Sequence, residues 1–198
     1  MLDNARTRGI AAHIVDPAAK GLLAVGLSAS AVTVLGSAGA VVVSIALIAH
    51  GYFLAAALLM IPLAGADLLD GTMARISGTS GKWGSFLDST TDRITDGAIF
   101  SAFVWWSMGE DQRLAIACAV ALVAGFVTSY ARAKAESIGI DCHVGIAERP
   151  ERVGGIMAAA GLAGLGVPYI LPVMMYAIAV LSSITVWQRM NLVRKALS

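Results

Sequence analysis

Charge is the scarcest feature of this 198-residue chain: 14% of its residues are Asp, Glu, Lys or Arg, against about 25% in a soluble domain. Hydrophobic residues make up 58% and mean hydropathy is +0.77, which excludes a disordered chain and departs from the composition of a soluble enzyme. Cations are not in surplus either. With 14 Lys+Arg against 13 Asp+Glu the net charge is +1, so a nucleic-acid partner is excluded. The only cysteines are Cys118, in an apolar stretch, and Cys142, in a polar one. They share no ligand spacing, so both read as free thiols, with neither a disulfide framework nor a zinc site. No apolar run follows the first charges closely enough for a cleaved signal peptide.

What is present is a set of long uncharged runs. From Gly21 to Ala66 there is no Asp, Glu, Lys or Arg, a length that holds two spans of about 20 residues, with a turn at His50-Gly51. Spans are expected at about 29–49 and 52–76, then over Phe86–Met108, Leu114–Tyr130, Gly154–Val167 and Tyr169–Trp187. The fold class is therefore all-α: an integral membrane bundle of six transmembrane helices.

Charge placement orients it. With a cytoplasmic N-terminus, the inner ends collect Arg6, Arg8, Lys20, Arg75, Lys82, Arg132, Lys134, Arg149, Arg152, Arg189, Arg194 and Lys195, while the outer side collects only Arg113. Twelve cations against one is a strong positive-inside signal, with both termini in the cytoplasm of a multi-pass cell-membrane protein. Residues 1–20 read as a cytoplasmic juxtamembrane amphipathic helix lying in the interface, with Ile10, Ile14 and Val15 on one face and Pro17 ending it. Residues 21–198 then form the membrane domain. Small residues four apart, Gly36 with Ala40 and Ala160 with Gly164, read as close helix contacts. The run from Gly161 to Gly166 lacks a preceding strand, so it reads as packing rather than as a dinucleotide loop.

Against this background, carboxylates inside two spans are conspicuous. Asp67 and Asp70 are three residues apart on one helix, and Asp88 and Asp92 four apart on the next, so each pair shares a face. A short loop around Gly78–Gly81 makes the two helices antiparallel neighbours, and the four carboxylates converge at the cytoplasmic ends. Each costs roughly 2.5–3.5 kcal/mol at a membrane centre, so the set costs on the order of 10 kcal/mol unless compensated. Arg75, Lys82 and Arg93 are the only cations nearby. An all-oxygen ligand set suits Mg2+, Mn2+ or Ca2+ rather than zinc, and two divalent ions balance four charges, a pairing used in phosphoryl displacement. Gly71 and Gly84 leave room beside the carboxylates for a bulky ligand.

The run Asp67-Leu-Leu-Asp70-Gly71-Thr-Met-Ala74-Arg75, then eight residues to Gly84, three to Asp88 and three to Asp92, resembles the signature of the CDP-alcohol phosphotransferases at all eight fixed positions. The resemblance implies a membrane enzyme that transfers the phosphoryl-lipid part of a CDP-linked donor to an alcohol and releases CMP. It implies that Asp67, Asp70, Asp88 and Asp92 hold two metal ions, Mg2+ with Mn2+ as the alternative, and that Asp92 is also the catalytic base. Gly71, Ala74, Arg75 and Gly84, with Gly81, would line the CDP site, Arg75 on a phosphate. A second family element, G-x-x-P-N-x-x-T, stands here as Gly26-Leu-Ser28-Ala29-Ser30-Ala31-Val32-Thr33. Its proline and asparagine are replaced by Ala29 and Ser30, so Ser30, Ala31 and Thr33 are the donor-site candidates there. Asp96 lies one turn beyond Asp92, either behind the metal ligands or paired with a cation. The family also implies a homodimer.

The acceptor side is read in the remaining inner cations. Arg132 and Lys134, with Ser129, lie at the end of the fourth span, Arg149 and Arg152 in the loop after it, and Arg189 at the end of the sixth. Five cations at the membrane surface point to an acceptor that carries its own phosphate. Ser129-Tyr-Ala-Arg132-Ala-Lys134 followed by Glu148-Arg149-x2-Arg152 is similar to the inositol 1-phosphate-accepting branch of the family, the bacterial phosphatidylinositol phosphate synthases, whose donor is CDP-diacylglycerol. Glycerol 3-phosphate, as in phosphatidylglycerophosphate synthases, is the alternative acceptor. A different class, a small cation transporter, would spread its carboxylates across the membrane depth instead of crowding them at one end.

Overall fold

The computed structural model describes the backbone of residues 5–198 and the side chains of residues 15–198. Seven α-helices follow one another: α1 (Ala5–Ala24), α2 (Ala29–Ala46), α3 (Phe53–Ile76), α4 (Lys82–Glu110), α5 (Gln112–Ser137), α6 (Arg149–Gly164) and α7 (Ile170–Leu197). Among the described residues there is no strand. Among the described residues four segments are long and apolar enough to cross a membrane: α2 with the short 3-10 turn after it, α3, α5 and α7. Their large apolar side chains lie on the outside, Leu35, Ile61, Val123 and Val173 each at least 60% exposed. Outward apolar side chains on this scale belong in lipid, because soluble monomers rarely expose such patches; the chain is a membrane protein.

The other two expected spans fall on α4 and α6. The 29 residues of α4 reach about 43 Å, but Asp88, Asp92, Arg93 and Asp96 interrupt its apolar surface. The 16 residues of α6 reach about 24 Å, less than the roughly 30 Å of hydrocarbon.

Most helices outrun the apolar segments that announced them. Expected over 86–108 and 114–130, α4 and α5 run 82–110 and 112–137, because hydropathy marks where lipid contact stops and backbone hydrogen bonding continues past it. One expectation about α6 is overturned: Arg149 and Arg152 stand in its first turn and not in a loop, with Pro150 at a position where a missing N–H costs nothing. Another concerns Pro17, expected to end its helix, through which α1 continues to Ala24. A proline forfeits one ladder bond, and the turns beyond it bury Ala19 completely. The face read from Ile10 and Ile14, like Arg6 and Arg8, falls outside the residues whose side chains are described. At the expected turn, α2 stops at Ala46, a 3-10 turn covers Ile48–His50 and Gly51 takes φ +80°, a left-handed conformation that favours glycine.

The chain divides into two compact units, residues 1–40 with 60–95 and residues 41–59 with 96–198. In the first, Ala19, Val32, Ala66 and Met73 form a small core with Leu23 and Leu69 against it, drawn from α1, α2 and α3. The backbones of α2 and α3 approach closely: a Cβ on Gly36 would come within 2.8 Å of Ala66 Cβ. The small-residue spacing thus marks a real contact. In the second unit α7 packs against both α5 and α6. Gly164 of α6 lies against the start of α3, where a Cβ would stand 2.5 Å from Leu54 N. The Phe53 ring stacks on Phe103 at 5.9 Å and meets Trp106 edge-on at 4.8 Å. Cys118 and Cys142 are free thiols, and both are buried.

Candidate functional site

The first unit carries the carboxylates. Asp67 and Asp70 lie near the end of α3, and Asp88 and Asp92 near the start of α4. The intervening turn is tight: Gly78 has φ +67°, and Thr79 N donates to Ala74 O at 3.0 Å. It folds α4 back beside α3, and one ligand atom from each of Asp67, Asp70 and Asp88 then lies within 4.8 Å of the others. Asp70 is buried, whereas Asp67 and Asp88 are exposed. Asp92, one turn beyond Asp88, stands outside that group of three and is half-buried. Its Oδ2 is 3.8 Å from the Arg93 guanidinium.

Three acidic groups held this close repel one another, and a hard divalent cation relieves that repulsion. The donors are carboxylate oxygens alone, with no His or Cys in the group, which fits Mg2+ or Mn2+ and not zinc.

Helix α2 fixes this group from a third side. Thr33 is buried, and its Oγ1 lies 2.5 Å from Asp70 Oδ2 and 3.1 Å from Ala29 O. A hydroxyl has one proton to give, and the shorter contact to the charged acceptor is the stronger. One turn on, Ser37 Oγ donates to Thr91 O at 3.2 Å and lies 2.9 Å from Thr95 Oγ1. Two hydroxyls four residues apart thus tie α2 to both carboxylate-bearing helices. Ser37 was not singled out from the sequence. The signal for it was there, since polar side chains at i and i+4 on an otherwise apolar span must find partners.

The other donor-site candidates lie on α2, on α3 and α4, and in the turn between the last two. Ser28 Oγ accepts from Ala31 N at 3.2 Å and caps α2, with Ser30 half-buried beside it. Arg75 is exposed and donates from NH2 to Thr72 Oγ1 at 2.8 Å. A Cβ on Gly71 or Gly84 would meet nothing within 4 Å, and one on Gly81 only Thr79 O at 4.0 Å. Packing therefore does not require these glycines. Gly71 and Gly84 lie inside helices, where each costs about 1 kcal/mol relative to alanine, and what they provide is open space beside the carboxylates.

The acceptor candidates lie in the second unit. Arg189, 3% exposed on α7, donates to Thr128 O at 2.7 Å, Val144 O at 2.8 Å and Glu148 Oε1 at 3.2 Å. Arg152, 1% exposed, donates to Ala147 O at 3.0 Å, and its NH2 lies 3.6 Å from Asp96 Oδ2. Arg149 Nε donates to the other oxygen of Asp96 at 3.1 Å. Asp96 is thus paired with cations, which decides the alternative left open by its position. Room for the Arg152 guanidinium comes from Gly125, where a Cβ would stand 3.3 Å from its Nε. Thr185 Oγ1 accepts from Ala147 N at 3.1 Å, so the segment leading into α6 is held on α7.

Arg132 is placed differently. It donates to Glu136 at 2.8 Å and reaches His143 Nδ1 at 2.9 Å. Lys134 is exposed, and Ser129 Oγ donates back to Gly125 O at 3.2 Å. The six candidates therefore fall into a buried pair (Arg152 and Arg189), a half-buried Arg149, and three on the last turns of α5. Thr185 and Gly125 escaped the sequence reading, and Glu148 entered it only as part of the Glu148-Arg149 element, with no contact of its own assigned.

Comparison with known proteins agrees with this geometry. The profile of the CDP-alcohol phosphatidyltransferase family matches residues 27–187. The chain is 40% identical over 186 residues to the phosphatidylinositol phosphate synthase of Corynebacterium glutamicum, covering 92% of this chain and 85% of that protein. To that of Streptomyces avermitilis it is 38% identical over 203 residues, covering 97% and 82%. Among solved structures, the Mycobacterium tuberculosis phosphatidylinositol phosphate synthase in complex with manganese and citrate superposes with a TM-score of 0.88 at 39% identity, over 91% of this chain and 88% of that one. The same enzyme with CDP-DAG bound gives a TM-score of 0.88 at 39% identity, over 91% and 94%.

Proposed function

Because the chain belongs to the CDP-alcohol phosphatidyltransferase family, we propose that it transfers the phosphatidyl group of CDP-diacylglycerol to inositol 1-phosphate, giving phosphatidylinositol phosphate and CMP. The observation that carries this reading is the convergence of Asp67, Asp70 and Asp88 within 4.8 Å on two adjoining helix ends. It is joined by relatives named phosphatidylinositol phosphate synthase at about 40% identity.

Asp67, Asp70, Asp88 and Asp92 are the residues to hold two divalent ions, Mg2+ or Mn2+. When bound, such ions supply charge neutralisation on the pyrophosphate and on the departing CMP. Asp92 takes the proton of the attacking acceptor hydroxyl. A carboxylate of ordinary basicity suffices when the transfer is late, after the attacking oxygen has become acidic. As the bond forms from that oxygen to the lipid-bearing phosphorus, the bond to the bridging oxygen breaks and CMP leaves. Thr33 keeps Asp70 in place, and the open flank at Gly71 and Gly84, with Ser30, Ala31, Ala74, Arg75 and Gly81, receives the nucleotide. The acceptor's phosphate is bound from among Ser129, Arg132, Lys134, Arg149, Arg152 and Arg189. Arginine suits that task through its fork of fixed donors.

The same reading gives six spans, α2 to α7, an interfacial helix over residues 1–20, a homodimer, and both termini and the active site on the cytoplasmic face. The twelve-to-one distribution of cations supports the orientation. The test is CMP release by the purified protein from CDP-diacylglycerol, with inositol 1-phosphate, free inositol and glycerol 3-phosphate offered separately. Turnover with inositol 1-phosphate is expected. Turnover with glycerol 3-phosphate in its place transfers the acceptor assignment, and no CMP release with any of them overturns the reading.

A further inference from the structure

The first turn of α6 holds two guanidinium groups, Arg149 and Arg152, where the helix dipole already places partial positive charge. Cations are unfavourable at a helix N-terminus, and Arg152 is in addition 1% exposed. A buried cation needs a counter-charge and fixed hydrogen bonds. Asp96, itself 5% exposed, meets both arginines: its Oδ1 accepts from Arg149 Nε at 3.1 Å, and its Oδ2 is 3.6 Å from Arg152 NH2. One carboxylate, with one oxygen for each arginine, therefore sets where two anion-binding side chains stand.

Glu148 adds to this, its Oε1 lying 3.2 Å from Arg189 NH2, so that the guanidinium groups are held in fixed orientations. Fixing them in advance lowers the entropy lost when an anion binds.

We infer that Asp96 is a positioning residue for the phosphorylated acceptor, holding Arg149 and Arg152 in the geometry that receives the acceptor's phosphate. This rests on the acceptor reading above, but it assigns to Asp96 a task that neither the metal ligands nor the donor site require. Substrate does not touch Asp96; it acts through the two arginines. Its removal should therefore weaken binding of the phosphorylated acceptor and leave CDP-diacylglycerol recognition alone.

The experiment compares wild type, Asp96→Asn and Asp96→Glu in CMP release, with KM and kcat determined separately for inositol 1-phosphate and CDP-diacylglycerol. Asp96→Asn should raise the acceptor KM about tenfold or more, the factor expected from losing one charge-assisted hydrogen bond. The donor KM should stay within about twofold on that reasoning, and Asp96→Glu, which keeps the charge, should fall between. In a double-mutant cycle, Asp96→Asn added to Arg149→Gln should raise the acceptor KM by less than it does alone. Where Asp96→Asn does not fold, Asp96→Glu carries the same KM comparison. An unchanged acceptor KM in a folded variant, or equal rises in both KM values, overturns the role. A wild type that releases CMP with no phosphorylated acceptor brings down the acceptor reading and this role with it. A wild type that releases CMP with inositol 1-phosphate, beside an Asp96→Asn variant whose acceptor KM is unchanged, brings down this role alone.

Discussion

Replacing Thr33 by valine removes one hydroxyl and keeps the shape of the side chain. Thr33 is buried, and its hydroxyl faces the carboxylate of Asp70, also buried, at 2.5 Å. The other acceptor in reach, Ala29 O at 3.1 Å, is one turn back in the same helix and loses nothing when the hydroxyl goes. The whole effect of Thr33→Val therefore falls on Asp70. A hydrogen bond to a charged group contributes roughly 1.5–3 kcal/mol, a factor of about 10 to 150 in an equilibrium constant. Without it the Asp70 carboxylate, still hydrogen-bonded to the backbone of Gly71, is held less firmly beside Asp67 and Asp88, so divalent ions bind a less organised set. The Mg2+ concentration giving half-maximal CMP release should rise by about tenfold, with Thr33→Ser close to wild type because the donor is kept. The assay is a Mg2+ titration of CMP release at saturating CDP-diacylglycerol, with thermal unfolding followed alongside. An unchanged metal requirement in Thr33→Val would refute the reasoning. A raised KM for CDP-diacylglycerol with the metal requirement unmoved would place Thr33 on the nucleotide instead.

Asp92→Asn should lower turnover at least about a hundredfold, the scale of a general base, while CDP-diacylglycerol still raises the thermal midpoint; retained turnover removes Asp92 from that role. Arg152→Gln should raise the KM for inositol 1-phosphate more than that for CDP-diacylglycerol. It should also destabilise the protein, since breaking a buried ion pair costs about 3–5 kcal/mol; equal KM changes would take Arg152 out of the acceptor site. Gly164→Ala sets a Cβ 2.5 Å from Leu54 N, a clash with backbone that should cost about 1–3 kcal/mol in unfolding measurements. Gly154→Ala on the same helix meets nothing within 4 Å and should gain about 0.5–1 kcal/mol; similar effects from the two would mean that α6 does not pack as described.

How much of this was legible in the sequence depended on the range of the interaction. The carboxylate pairs are local: spacings of three and four put Asp67 with Asp70, and Asp88 with Asp92, on shared helix faces before any fold is known. The Gly78–Gly81 turn is local as well, and it is enough to bring the two faces together. Helix ends were read less well. Hydropathy registers lipid contact and is silent on the polar turns beyond it, which is why α4 and α5 run past their expected limits and why Arg149 and Arg152 belong to α6. Pro17 misled for the opposite reason, because the local rule was outweighed by burial of the turns that follow it.

The partners of single polar residues were not legible, and the cause is geometric. Thr33 finds Asp70 across 37 positions, Arg149 finds Asp96 across 53, and Arg189 finds Thr128 across 61. No periodicity encodes such pairings. What the sequence does encode is the obligation: away from water, each hydroxyl or guanidinium must be satisfied by another part of the protein. Thr33 and Ser37 on α2 and Thr185 and Arg189 on α7 interrupt runs of apolar residues, and each takes part in a cross-element hydrogen bond through its side chain. Isolated polar residues on apolar helices can therefore name one end of a long-range contact. Among the candidate residues, Thr33 was singled out through the family element and Arg189 as an inner-end cation, and each is one end of such a contact.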